Sequence, residues 1–256
     1  MPELAELRLT ADYINQTAKG KVFHSVRKNP THKCPEISEE LDFPFTIKAE
    51  SKGKELMLEI TPQRMDGERK YLMMTMGMSG HFKWLVEGTT HKHAHLIFNS
   101  EGGSLAFVDV RRFGKWKWGN WGSDRGPDPT IEFQNFIRNI KNNLHKNDFN
   151  KPICEVLMNQ KYFNGIGNYL RAEILYRVNV NPFIPAREAL TSHSEIYELC
   201  RWAPLQAYKL GGGVVESYRQ MLNTWEEFIL CYNRPNMSKV KDKNGRTFWY
   251  NKKWDI

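Results

Sequence analysis

FTIKAESKGKELMLEI, residues 45–60, decides the first half of the fold. FTIKAE and ELMLEI are short β-like runs, and SKGK between them is a turn signal. The pattern continues through YLMMTM (71–76), HFKWLV (81–86), HLIFN (95–99) and LAFVDV (105–110), divided by MDGE, MSG, EGTT and SEGG. Six such runs without an intervening helix predict an antiparallel sandwich or barrel. Upstream, Leu4, Leu7, Ala11 and Ile14 recur at helical spacing and Gly20 follows, so residues 2–18 read as one helix. Downstream, GNWGSDRGPDP (119–129) is rich in Gly, Pro and Asp and marks a domain boundary. Beyond it, IEFQNFIRNIKNNL (131–144) places Phe133, Phe136, Ile137 and Ile140 on one helical face. ICEVLMNQ (153–160) and NYLRAEILYRV (168–178) read as helices separated by KYFNGIG, and two more follow around 193–208 and 215–232. In MSKVKDKNGRTFWYNKKW (237–254), Asn244-Gly245 between two β-capable stretches signals a tight hairpin. The fold class is therefore α+β. A helix and β-sandwich occupy 1–120, a linker 121–130, an all-α domain 131–233 and a hairpin 234–256.

Composition excludes several classes. The 256 residues are 40% hydrophobic and 26% charged, which argues against wholesale disorder. No apolar run approaches the roughly 18 residues of a membrane helix. MPELAELRLT lacks a basic flank before an apolar core, so no secretory signal is expected. Cys34, Cys154, Cys200 and Cys231 form no close Cys pair, which leaves neither a Cys-rich zinc finger nor a disulfide framework. We expect a reducing intracellular setting, no metal and no cofactor. Thirty-seven Lys and Arg against 29 Asp and Glu give a net charge of +8, and 14 Phe, 10 Tyr and 8 Trp accompany them. Basic residues interleaved with aromatics suit a polyanionic, base-stacking partner.

Several segments could carry chemistry, and each also has a plainer reading. KYFNGIGNYL (161–170) is helix, tight Gly turn, helix, with Asn168 opening a helix whose free N–H groups favour phosphate; a structural helical hairpin is the alternative. Residues 234–254 hold seven Lys or Arg against a single acid, Asp242. That is a nucleic-acid contact or a solvated hairpin. DVRRFGKWKW (109–118) surrounds Phe113 and Trp116 with Arg111, Arg112, Lys115 and Lys117, which suits a wedge into a base stack or a basic strand end. In HKHAH (91–95), a strand would align His91, His93 and His95, but no carboxylate completes a metal site, so we expect hydrogen-bonded or solvated rings. Pro2 after Met1 would leave a free secondary amine once the methionine is removed, and Glu3 beside it is a possible general acid or base. Lys54 in SKGKEL and Pro2 itself are unremarkable in most proteins.

Taken together, MPELAE, SKGKEL, GMSG (77–80), DVRRFG (109–114) and NGIGNYLRAEILYR (164–177) resemble the formamidopyrimidine-DNA glycosylase and endonuclease VIII family. KPICE (151–155) and NGRTFWY (244–250) point to its animal branch, whose hairpin lacks zinc. The resemblance implies a bifunctional DNA glycosylase and abasic-site lyase of base excision repair that removes oxidised bases, chiefly pyrimidines, from duplex or single-stranded DNA. It implies Pro2 as nucleophile, Glu3 as acid/base, Glu6 as a supporting carboxylate, and Lys54 as general acid and phosphate ligand. Met78, Arg111 and Phe113 would fill the gap left by an extruded nucleotide, and Asn168 and Arg246 would hold phosphates. It also implies a helix-two-turn-helix domain with a zincless finger. We expect a monomer with no membrane partner, nuclear in a eukaryotic cell. Two positions depart from the pattern: Ala5 replaces the usual Pro, and Gly213 replaces a basic residue in the loop that covers the flipped base. The competing readings are a damage-recognition protein that has lost catalysis and an RNA-binding module, which would leave the N-terminal chemistry unused.

Overall fold

The computed structural model describes residues 2–64, 67–212 and 222–255. The chain divides into two compact units. One holds Pro2 and residues 6–122; the other holds residues 3–5, 123–212 and 222–255.

Helix α1 (Leu4–Ala18), which belongs to the first unit from Glu6 onward, precedes eight strands: β1 (Phe23–Lys28), β2 (Phe45–Lys52), β3 (Glu55–Pro62), β4 (Lys70–Thr75), β5 (His81–Val86), β6 (Ala94–Ser100), β7 (Gly103–Val108) and β8 (Lys115–Trp118). They form one antiparallel sheet in the order β5-β7-β6-β1-β2-β3-β4-β8. Leu7, Ala11, Ile14 and Ala18 come to one face of α1 at helical spacing and join a core of Phe23, Phe45, Leu58, Phe82, Phe98 and Phe107. Two polar latches fix the helix. Asn15 exchanges hydrogen bonds with the Ala49 N–H (2.7 Å) and carbonyl (2.9 Å) on β2, and the Tyr13 hydroxyl accepts from Trp84 N–H on β5 (2.8 Å).

Strands β1 and β8 were not anticipated: FHSVRK buries only Phe23 and Val26, and KWKW sits inside a basic run, so neither carries an alternation long enough to read. Neighbouring strands supply what the local pattern lacks. HKHAH is not a strand over its length. It is a turn that enters β6 at Ala94, with the His91 and His93 ring centres 5.9 Å apart. His95 alone is buried on the strand, where its Nε2 bonds the Asp109 carbonyl at 2.9 Å.

The second unit contains α2 (Phe133–Asn143), α3 (Ile153–Val156), α4 (Asn168–Val178), α5 (Ala186–Ser192), α6 (Glu195–Lys209), α7 (Leu222–Phe228) and a hairpin of β9 (Ser238–Lys241) and β10 (Thr247–Tyr250). Helix α3 is shorter than its sequence suggests. The chain leaves it for a turn in which Gln160 bonds Gly165 N–H (2.9 Å) and the Ile166 carbonyl (2.9 Å). Helix α5, directly after Pro185, was not anticipated. The reading of a helix over 215–232 falls partly outside the described residues; its described portion is α7. Helix α4 runs through the core, with Tyr169–Leu175 buried all round, including the charged Arg171 and Glu173. Glu173 accepts N–H groups from Leu230, Cys231 and Tyr232 and pairs with Arg177, so its burial is compensated.

Candidate active site

Pro2 is buried and, with Glu3, leads directly into the first residue of α1. The Glu3 side chain, 1% exposed, accepts from Tyr169 N–H (3.0 Å) and Leu170 N–H (3.3 Å) at the start of α4. Those are two of the donors every helix leaves unpaired at its first turn. Leu4 N–H donates to the Gly165 carbonyl at 3.1 Å. Gly165 has φ 95, and a Cβ there would lie 2.5 Å from Leu4 Cδ1. Only glycine meets both conditions. The N-terminal acid and the NGIGN turn, far apart in sequence, are therefore one assembly. Glu6 is also buried, and its carbonyl accepts from the Thr10 hydroxyl at 2.7 Å.

Lys54 occupies the two-residue turn between β2 and β3, closed by the Lys52–Glu55 pair. Gly53 takes the left-handed conformation (φ 56) such a turn demands. Lys54 is half-buried at this tip.

Met78, Arg111 and Phe113 come together on the β unit. The Arg111 guanidinium lies 3.2 Å from Met78 Sδ and 4.9 Å from the centre of the Phe113 ring. Met78 is 42% and Phe113 52% exposed, so two large apolar side chains stand in solvent.

Asn168 and the hairpin form a third group. Asn168 Nδ2 donates to the Thr247 carbonyl (2.8 Å), while its Oδ1 accepts from Arg171 (2.6 Å). Arg171, fully buried, also donates to Asp242 (3.0 Å) and the Cys154 carbonyl (3.0 Å) and lies 4.8 Å from the Phe248 ring. Asp242 in turn accepts from Asn244 N–H (2.9 Å) and Arg246 N–H (3.0 Å). The turn is not the two-residue kind expected from Asn244-Gly245. Lys243, Asn244 and Gly245 form its tip, with Gly245 at φ 72 and the Asp242 N–H to Arg246 carbonyl bond (2.9 Å) closing it. Arg246 is exposed beside it. Sequence reasoning missed Arg171. The available signal was Asp242, the single acid among seven bases, which needed a buried partner. Among the described residues no group of three or more His, Cys, Asp or Glu side chains is placed to hold a metal.

Two family models match: the formamidopyrimidine-DNA glycosylase N-terminal domain over residues 1–116 and the endonuclease VIII-like 1 DNA-binding segment over residues 223–253. Human endonuclease 8-like 1 is 36% identical, covering 98% of this chain and 72% of that protein. The chain belongs to the formamidopyrimidine-DNA glycosylase and endonuclease VIII family. Within it, formamidopyrimidine-DNA glycosylase of Thermus thermophilus is 28% identical over 86% of this chain and 81% of its own length. The fold agrees as well. Lactococcus lactis Fpg, solved in complex with DNA containing an oxidised pyrimidine, superposes with a TM-score of 0.82 at 22% identity, covering 98% of each chain. Of the two departures from the family pattern, Ala5 is buried in the core of the helical unit. Gly213 lies outside the described residues.

Proposed function

We propose that Pro2, freed by removal of Met1, is the nucleophile of this enzyme. The protein is a DNA glycosylase and abasic-site lyase of base excision repair acting on damaged DNA. The observation that carries the Pro2 assignment is the Glu3 carboxylate, held by the two N–H groups at the start of α4. That anchor gives the residue after Pro2 a fixed place, which a freely moving N-terminus lacks. The Pro2 nitrogen bonds to C1′ as the C1′–base bond breaks and the base leaves with a proton. Opening of the sugar gives an iminium, which acidifies the 2′-proton; its removal expels the 3′ phosphate, and a second elimination releases the 5′ phosphate. Glu3 and Lys54 move protons in these steps, with Glu6 supporting them and Lys54 also facing a phosphate.

A glycosylase reaches C1′ only after the nucleotide leaves the stack. Met78 and Phe113 replace the lost stacking, and Arg111 bonds the orphaned base; their clustering and exposure support this role. Arg246 and the Asn168 corner hold the backbone. The substrates are oxidised bases, chiefly pyrimidines, and the enzyme works as a nuclear monomer. The test is borohydride reduction with DNA containing an abasic site, followed by mass spectrometry. The adduct should sit on the N-terminal residue. An adduct on Lys54 with Pro2 unmodified would refute the assignment, and DNA binding without any trapping, in protein that lacks Met1, would mark a damage-recognition protein instead.

A further inference from the structure

The GMSG and DVRRFG segments meet at a residue to which neither the reaction nor the DNA contact assigns a part. Asp109 is wholly buried. Its Oδ1 accepts from the Ser79 hydroxyl and from Arg111 N–H (3.2 Å), and its Oδ2 accepts from Gly114 N–H (2.8 Å). Ser79 Oγ receives the same Arg111 N–H at 3.2 Å. The Asp109 backbone is tied as well: its N–H donates to the His93 carbonyl (3.0 Å), and its carbonyl receives Arg112 N–H (3.3 Å) and His95 Nε2 (2.9 Å). The loops touch backbone to backbone. A Cβ on Gly77 would stand 2.6 Å from Gly114 N and 2.6 Å from the Phe113 carbonyl carbon. Between the anchors, Arg112 is held at φ 56, a conformation costly for a residue with a Cβ.

We propose that Asp109 is the positioning residue of the stacking group: its carboxylate, with Ser79, locks the Met78 loop and the Arg111–Phe113 loop in one register. Met78 and Ser79 are neighbours, and Arg111 and Phe113 lie between the two N–H groups that Asp109 receives. One buried acceptor thus sets where all three exposed side chains begin. Without it, they remain on the surface but must be ordered anew at each encounter with DNA, an entropy cost that falls on extrusion. The inference rests on the assignment of Met78, Arg111 and Phe113 to the vacated stack.

The experiment compares Asp109→Asn, Ser79→Ala and Arg111→Ala on a damaged base in duplex and in single-stranded DNA, with melting temperatures measured alongside. Asparagine keeps the shape but offers an N–H₂ where one oxygen stood, so it must face a donor N–H. The duplex to single-strand rate ratio should fall by about tenfold in Asp109→Asn, and in the same direction but less in Ser79→Ala. Adding Asp109→Asn to Arg111→Ala should lower the ratio further, because Asp109 still positions Met78 and Phe113 when the Arg111 side chain is gone. If Arg111→Ala shows no duplex-selective loss, the stacking assignment itself fails. If Arg111→Ala shows it and Asp109→Asn leaves the ratio unchanged, the positioning role fails. Should Asp109→Asn not fold, Ser79→Ala decides: a lowered ratio supports the role and an unchanged one overturns it.

Discussion

Lys54 is where a single side chain can be tested with least disturbance. The backbone of its turn is set by Gly53 at φ 56 and by the Lys52–Glu55 pair that closes it. Lys54→Ala should therefore change stability by no more than about 0.5 kcal/mol. If the ammonium donates a proton and faces a phosphate, strand cleavage at an abasic site should fall by about a hundredfold. Stopped assays with melting curves check both halves. Cleavage at the parent rate would make Lys54 a surface charge. Gly165 shows the opposite dependence. Its left-handed φ, and a Leu4 carbon 2.5 Å from where a Cβ would stand, leave no substitute, so a change there would act on the N-terminal anchor and not on a charge.

At the scale of elements, the hairpin is joined to α4 by a charge pair. Arg171 is fully buried and Asp242 nearly so; Asp242 also accepts two backbone N–H groups, and Arg171 also donates to the Cys154 carbonyl and to Asn168. Arg171→Met keeps the bulk and leaves Asp242 without its partner. It should cost about 3 kcal/mol of stability and weaken DNA binding, because Arg246 hangs from the same turn. EDTA should change neither quantity in the parent protein. Denaturant melts and binding titrations test this; loss of activity on chelation would place a metal in the hairpin.

A second element carries a pH dependence. His32 stacks on Trp116 of β8 at 4.3 Å between ring centres and lies 5.0 Å from His95 on β6. Burial holds both imidazoles below the ordinary value of 6.5, and for His32 the neighbouring His95 adds to it. Lys28 and Arg112 push His32 the same way while Asp109 opposes them. The folded protein thus keeps these rings neutral where the unfolded chain binds protons. Stability is complete above about pH 6.5 and is lost as pH falls below it. The melting temperature should drop by about 2–4 °C between pH 7 and pH 5.5 on this account. His32→Phe, which retains a ring against Trp116, should flatten the profile, and parallel profiles would assign the loss to other groups.

For the whole molecule, the +8 charge favours a polyanionic partner, and the number of phosphates neutralised sets how binding responds to salt. Each phosphate neutralised releases counterions, so affinity should fall linearly in the logarithm of salt concentration. Arg246→Ala should weaken binding by about 1–3 kcal/mol and reduce the slope by about one, independent of the lesion. Fluorescence anisotropy across a salt series measures both. An unchanged slope would mean that Arg246 meets no phosphate.

What the sequence determined by itself is what depends on neighbours along the chain. Helix α1, the β2–β3 hairpin and α4 were legible because side-chain period, turn glycines and helix-opening residues act within a few positions. The roles given to Pro2, Lys54, Met78, Arg111 and Asn168 came instead from the resemblance of their motifs to a known family, since local pattern alone left each with a plainer reading. Strands β1 and β8 were not legible, since their few apolar residues become strands only when β2, β4 and β6 supply hydrogen-bonding edges. Nor were the charges that hold the site in place. Asp109 reaches back 30 residues to Ser79, Arg171 reaches 71 to Asp242, and Glu3 reaches 166 to Tyr169. A buried charge is tolerable only where a partner has been brought to it, and folding alone decides which partner arrives.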